Sequence, residues 1–221
     1  RYFPRDYQAL NANPFAETRG ARNENGLYVG LEMRPISGFT LAGYFDIYRH
    51  PWLRFQSDAP SLGHEWRVRL TYYKKRKLEA YLQVRQETKE QNAPGNPTKT
   101  DFLLPNRLFQ FRLHVAHTVR KGLELRSRMD YGFTDDGVNP RSNGIMFYQD
   151  VIVKPTTFPL SFTTRFAIFD TDGFQTRYYS FENNLLYTFS IPAYYNRGTR
   201  FYLNLRYRGI RNLTLEARYA Q

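Results

Sequence analysis

The feature that most limits what this chain can become is a two-residue beat. Apolar and polar side chains alternate in blocks of about ten residues. Phe109, Phe111, Leu113 and Val115 interleave with Gln110, Arg112, His114 and Ala116. Leu123, Leu125, Ser127, Met129 and Tyr131 interleave with Glu124, Arg126, Arg128 and Asp130. Successive residues of a β-strand point to opposite faces, so each block has one apolar face and one face carrying full charges. A soluble sandwich also alternates. These blocks, however, match the roughly 9–11 residues that a tilted strand needs to cross a bilayer with its polar side toward a lumen.

The bulk properties fit that reading. No apolar run approaches the roughly 18 residues of a membrane helix, and mean hydropathy is −0.65. A hydropathy profile fails for barrels, because charged lumen residues cancel the lipid-facing ones. Aromatic residues make up 17% of the chain. Many stand near block ends, as interfacial girdles require: Tyr44, Tyr48 and Trp52, then Tyr72 and Tyr73, then Tyr131 and Phe133. The net charge of +12 reads as a solvated lumen with basic turns, or as attraction to nucleic acid, lipopolysaccharide phosphates or an acidic protein. The absence of Cys fits an envelope protein that avoids stray disulfides.

Candidate strands pair into hairpins across short turns: 27–34 with 39–48, 65–73 with 78–87, 108–117 with 123–133, 145–154 with 160–169, and 201–207 with 213–219. The turns carry Pro, Gly and basic residues. Long polar stretches at 49–64, 88–106 and 134–144 separate the hairpins, and the second contains Asn92-Ala93-Pro94-Gly95-Asn96-Pro97, unsuited to a strand interior. Tight turns alternating with long loops is the outer-membrane pattern. It places Arg76 on the periplasmic side and Asn96 outside. The stretch 170–200 breaks the alternation, since a single strand at 177–191 would invert the last hairpin. It holds two strands, or an external segment with partial strand character, or an aromatic turn at 192–198. The expected architecture is an all-β, antiparallel up-and-down transmembrane β-barrel, with ten to twelve strands in view, in a single region 1–221 led by a loop at 1–25. With no leader, a start in a loop and a stop after an alternating block, the chain is expected to be a piece of a larger barrel.

The polar face carries Arg67, Arg69, Arg112, Glu124, Arg126, Arg128, Asp130 and Arg165, together with Glu32, Asp46, Glu79, Arg85, Asp150, Arg206, Glu216 and Arg218. Guanidinium groups bridge carboxylates on adjacent strands in a planar, bidentate manner. The plain reading is a charge ladder lining a lumen, and the functional one is an Arg-lined path for an anionic solute or polymer. The loop around His50, Trp52, Arg54 and Phe55 is dense in aromatic and basic residues. It reads as a base- or sugar-stacking surface, an interface belt, or a loop packed into the barrel mouth.

Catalysis finds little support. His114 and His117 stand three apart and point to opposite faces. An outer-membrane phospholipase needs a His and a Ser two apart on the lipid side; His64 has Leu62 and Trp66 there, and His114 has Arg112 and Ala116. Asp135-Asp136 and Asp170 with Asp172 read as turn residues, because neither pair continues into a full calcium loop. No cofactor or metal is expected.

Several segments resemble the C-terminal barrel region of Bacteroidota outer-membrane proteins that carry an N-terminal competence-type helix-hairpin-helix region. They are Gly26-Leu27-Tyr28-Val29-Gly30-Leu31-Glu32, Tyr44-Phe45-Asp46 through Pro51-Trp52-Leu53-Arg54, Phe166-Ala167-Ile168-Phe169-Asp170-Thr171-Asp172, and Tyr187 through Phe189 with Ser190-Ile191-Pro192-Ala193-Tyr194-Tyr195, followed by Gly198 and Arg200-Phe201-Tyr202-Leu203. The resemblance implies an outer-membrane location and a link to DNA or to a larger envelope assembly, but no residue of this chain supports the DNA link. The expectation is a non-enzymatic barrel of a Gram-negative outer membrane, a channel or scaffold subunit of an envelope transport or assembly complex. Its expected partners are outer-membrane lipid, lipopolysaccharide and other envelope proteins. The rivals are a solute porin, a soluble β-sheet protein binding an anionic polymer, and a phospholipase-like barrel.

Overall fold

The computed structural model describes residues 1–8, 14–18, 20–95 and 98–221. Asn96, the loop position expected to face outward, lies outside the described residues. The strands are β1 (Tyr2–Phe3), β2 (Glu24–Met33), β3 (Phe39–His50), β4 (Ser61–Lys74), β5 (Leu78–Asn92), β6 (Leu103–Arg120), β7 (Leu123–Asp135), β8 (Ser142–Val153), β9 (Leu160–Thr171), β10 (Tyr178–Tyr179), β11 (Ala193–Tyr194), β12 (Arg197–Ile210) and β13 (Leu213–Ala220). Eleven of them form one sheet in the order β1-β2-β3-β4-β5-β6-β7-β8-β9-β12-β13, with β10 and β11 forming a separate two-stranded sheet. Every neighbouring pair in the large sheet is antiparallel. Among the described residues the only helical element is a 3-10 turn at Phe174–Thr176.

The expected all-β, up-and-down architecture is present, with two differences. First, the sheet is open: among the described residues β13 has no second ladder partner, and the far side of β2 meets only the two residues of β1. Closure into a barrel is not seen. Second, the strands outrun their alternating blocks. β5 and β6 pair out to Asn92 and Leu103, which shortens the expected 88–106 loop to 93–102. Pro105 sits within β6 because β7 pairs only from Arg107 onward, so one side of the strand has no ladder there.

The ambiguous stretch 170–200 adds no strand crossing the sheet. β9 pairs directly with β12, Asp170 opposite Arg197. The residues between are an inserted segment with partial strand character, the β10–β11 pair. β12 therefore keeps the orientation that the turn at 211–212 requires.

Up-and-down order sorts the connections. The short turns at 34–38, 75–77, 121–122, 154–159 and 211–212 lie at one end, and the long connections at 51–60, 93–102, 136–141 and 172–196 lie at the other. Gly122 shows why the tight turns need their residues. Its φ is +84°, and an added Cβ would stand 2.5 Å from the Lys154 carbonyl, which only glycine tolerates.

Register places same-face residues in rows across the sheet, such as Arg69–Gln83–Arg112–Asp130 and Tyr81–His114–Arg128–Tyr148. The burial of the two faces is the reverse of a soluble protein's. On the polar face Asp46, Glu65, Arg128, Asp130, Asp150 and Arg165 are buried, while on the apolar face Phe45, Ile47, Val68, Leu82, Leu113, Met129, Phe147, Phe166 and Ile168 are exposed. Among the described residues the compact apolar cluster (Met146, Tyr148, Ala167, Tyr178 and Tyr194, with Phe169 against it) forms on the polar face, where the inserted segment lies down.

Candidate functional site

All eight residues of the expected charge ladder stand on the polar face, and the register explains their partners. Arg112 and Asp130 are opposed on β6 and β7, so Arg112 Nε reaches Asp130 Oδ1 at 2.6 Å; Arg128 Nε meets the other oxygen at 2.5 Å. Arg126 pairs with Glu124, two residues back on its own strand, at 2.6 Å. Arg165 donates to both oxygens of Asp150, its β8 neighbour, at 2.6 and 2.8 Å. Arg67 and Arg69 form no ion pair among the described residues. Their guanidinium groups lie over Tyr44 at 4.7 Å and Tyr81 at 4.5 Å, and Arg69 Nε also donates to Gln83 at 3.0 Å.

The inserted segment 172–196 is anchored to this face by groups the ladder leaves available. Arg165 Nη1 donates to Ser180 Oγ and to the Phe181 carbonyl, both at 2.9 Å. Arg128 Nη2 donates to the Tyr179 carbonyl at 3.3 Å. Glu182, fully buried, accepts from Tyr194 at 2.9 Å, from Arg200 at 3.0 Å and from Arg218 at 2.6 Å. Burial works against the Glu182 charge, but Arg200, Tyr194 and Arg218 outweigh it and hold the carboxyl below its ordinary range. Burial, followed by the Glu182 charge, pushes the Tyr194 hydroxyl up. Two glycines make room. Gly132 and Gly144 face each other on β7 and β8; a Cβ at Gly144 would stand 2.9 Å from the Thr176 carbonyl, and one at Gly132 3.2 Å from the Tyr178 hydroxyl. Tyr178 donates to the Gly144 carbonyl at 2.7 Å through that gap. Glycine inside a strand marks such a close backbone approach.

The described N-terminal residues cover the other side of the same face. Arg1 Nε bonds Glu24 at 2.5 Å and its Nη1 bonds Asp46 at 2.8 Å. Glu17, Glu65 and Glu87 converge to within 4.8 Å. Lys89 bridges Glu17 at 3.2 Å and also bonds Glu87, and Arg85 grips Glu65 at 2.6 Å, so each of the three carboxylates has one of the chain's own cations as partner. Burial raises the Glu17 carboxyl, with Lys89 opposing. Between the two coverings the face stays open, with a cavity of about 330 Å³ bordered by His114, Glu79, Arg126 and Asn183 and another of about 390 Å³ beside Arg67, Arg69 and Tyr44.

The expected external-loop site divides. His50 is the buried last residue of β3, hydrogen-bonded through Nδ1 with the Asn23 carbonyl at 2.9 Å. Arg54 is taken up by Ser61 at 3.2 Å and the Glu90 carbonyl at 3.3 Å. Trp52 packs under Arg5, 5.0 Å from its ring, and exchanges two backbone hydrogen bonds with the Asn23 amide. Phe55, at 89%, is the most exposed of the four. His50, Arg54 and Phe55 border one cavity of about 480 Å³ together with Arg5, Arg22 and Asn23, and Trp52 stands outside it. The loop packs on neighbouring loops, with Asn92 N donating to the Gln56 carbonyl at 2.9 Å.

The other chemistry-bearing residues are dispersed. His114 points to the polar face and His117 to the apolar one. His64 lies on the apolar face, stacked on Phe45 at 6.4 Å. Asp136 accepts from Val138 N at 3.0 Å and Asn139 N at 2.8 Å, a turn role; the Asn139 side chain and these amides hold its carboxyl below the ordinary range. Asp172 accepts from Asn143 N at 2.7 Å.

Glu182, Arg200 and Tyr194 are not among the expected polar-face residues, although their partner Arg218 is. One signal for Glu182 exists: it is the only carboxylate between Asp172 and Glu216, in a stretch containing six arginines. No family model, curated protein or solved structure matches this chain.

Proposed function

We propose that this chain forms part of the wall of a transmembrane β-barrel in a Gram-negative outer membrane, and that it works as a non-enzymatic scaffold or channel subunit of an envelope complex. One observation carries the reading: burial is inverted, with paired charges enclosed and a continuous apolar face exposed on ten successive strands of the sheet, β2 to β9, β12 and β13. Soluble monomers expose apolar patches of at most a few hundred Å². Several polar side chains that interrupt the apolar face are satisfied locally, as a lipid setting demands. Ser127 donates to Gln149 at 2.5 Å, Gln149 donates to the Arg126 and Asp150 carbonyls at 3.2 and 2.8 Å, and Thr164 donates to the Tyr202 carbonyl at 2.8 Å. The sheet edges agree. β2 offers Leu27, Val29 and Leu31 on its apolar side, and β13 offers Leu213, Leu215 and Tyr219, so strands added at either edge continue both faces.

Trp66 tests the reading. It lies on the apolar face of β4, opposite Phe45 and Gln86. The chain has two Trp, so Trp52→Phe leaves Trp66 as sole reporter. In vesicles, lipids brominated on their acyl chains should quench Trp66 strongly and iodide should not. Iodide quenching without lipid quenching would favour the soluble sheet.

The inserted segment favours a scaffold or a narrowed channel over a wide pore, because it occupies the polar face of β7 through β13. A second reading, an anion path, is favoured by Arg67 and Arg69, which lack carboxylate partners beside an open cavity. Anion-selective conductance in planar bilayers that is lost in Arg67→Gln/Arg69→Gln would establish it. Phospholipid hydrolysis abolished by changing His64 or His114 would overturn the non-enzymatic reading.

A further inference from the structure

The five short turns collect a charge that the rest of the chain does not share. Residues 34–38, 74–77, 118–122, 154–159 and 208–212 contain ten of the 32 Lys and Arg and none of the 20 Asp and Glu. The remainder is close to neutral, 22 cations against 20 carboxylates. These turns are far apart in sequence, and the up-and-down topology brings all five to one end of the sheet. The opposite end is mixed, with Asp58, Asp101, Asp136 and Asp172 among its Lys and Arg.

The ten cations are all exposed. Among the described residues only Arg34 makes an ion pair, with Glu32 at 3.2 Å. Arginines of the polar face, by contrast, mostly grip carboxylates. The turn cations also adjoin the end of the apolar face, where Phe39 and Tyr72 pack ring to ring at 4.8 Å and Ile36, Val119 and Phe158 are exposed. Cationic heads on long stems, just beyond an aromatic-edged apolar surface, suit a membrane interface: the stems lie along the apolar surface and the heads reach headgroup phosphates.

We propose that the short-turn end is a docking ring for anionic phospholipid, holding the phosphate-bearing headgroups of the leaflet at that end. The inference rests on the membrane reading above. A nucleic-acid surface fits less well, because the aromatic residues here, apart from Tyr73 beside Lys74, edge the apolar face and do not interleave with the cations as base-stacking platforms do.

The test compares the full chain with Lys74→Gln/Lys75→Gln/Arg76→Gln/Lys77→Gln, and with a control at the other end, Lys99→Gln/Arg141→Gln. Each is reconstituted in phosphatidylcholine vesicles with or without an equal share of phosphatidylglycerol. After detergent extraction, the ratio of the two lipids retained on the protein is measured. Cations near an anionic surface contribute a factor of about five each. The unaltered chain and the control should therefore retain phosphatidylglycerol over phosphatidylcholine at a ratio severalfold above the bulk 1:1, and in the turn variant that ratio should fall at least about fivefold toward 1:1. Equal retention by chain and turn variant overturns the proposal. So does a short DNA duplex that binds the unaltered chain but not the turn variant and is not displaced by phosphatidylglycerol. Insertion into neutral vesicles is read separately: if no form inserts, the membrane reading falls and this inference with it; if all insert and lipid selectivity is flat, only the docking ring falls.

Discussion

Arg165 on β9 holds Asp150 on β8 through two parallel hydrogen bonds of 2.6 and 2.8 Å, with the two residues only 2% and 1% exposed. The same guanidinium then reaches out of the sheet to Ser180 and Phe181. One side chain thus joins the sheet to the segment lying across it. Removing Asp150 leaves a buried cation without its counter-charge, which costs about 3–5 kcal/mol. Asp150→Ala should lower unfolding stability by that amount in vesicles. Asp150→Asn/Arg165→Met should recover most of it. Urea titration followed by electrophoretic mobility checks both, and equal stability of Asp150→Ala and the unaltered chain would show that the pair contributes little.

Docking of the 172–196 segment should depend on Glu182 and on the glycine gap. Glu182→Gln removes the charge that Arg200 and Arg218 hold, and Gly144→Val places side-chain atoms where the Thr176 carbonyl lies. Amide exchange of residues 178–194 should rise at least about tenfold in both variants while exchange in β6 stays unchanged, since a contact worth 1.4 kcal/mol shifts an opening equilibrium by that factor. Unaltered exchange in both would mean that the segment is held by other contacts.

The same carboxylate sets a pH dependence. Its value in the folded chain lies below the ordinary 4.5. A depressed carboxylate contributes stability that is fully present above its unfolded value and is lost as pH falls through the folded value. Segment docking should hold at pH 6 and weaken only below about 4.5, with Glu182→Gln insensitive across that interval. Protease access to Tyr187 as a function of pH measures it.

The apolar face carries a prediction about depth. Phe111→Arg, at the middle of β6, should cost roughly 2–4 kcal/mol in a bilayer, whereas Val119→Arg, near the turn, should cost at most about 1 kcal/mol. Equal costs at the two positions would place neither residue in hydrocarbon.

Orientation can be read in cells. The proposed outer-membrane placement puts the long loops outside and the short turns in the periplasm, so a membrane-impermeant thiol reagent should label Lys99→Cys and spare Arg76→Cys. The reverse pattern would invert the protein.

Much of the sheet was legible in the sequence because its cause is local. A period of two assigns each residue to a face wherever the strand register falls, so the apolar row Phe109 to Val115 and the ladder Arg112, Arg126, Arg128 and Asp130 could be read without coordinates, as could the hairpin turns. Tertiary structure decided what depends on which chains meet. Strand ends were underestimated because ladder pairing carried β5 and β6 past their alternating blocks, through Pro105. The path of 172–196 has no periodic signature. It follows from Glu182 finding Arg200 and Arg218 on strands that sequence order separates from it, and from two glycines whose purpose appears only when Tyr178 and Thr176 fill the space beside them. His50 looked like part of an aromatic loop and proved to be a buried strand end, because Asn23 arrives from the N-terminal segment to receive it. Face assignment is a property of the backbone's own geometry, while coverage of a face is a property of long-range contacts between polar groups that must be paired once water is excluded.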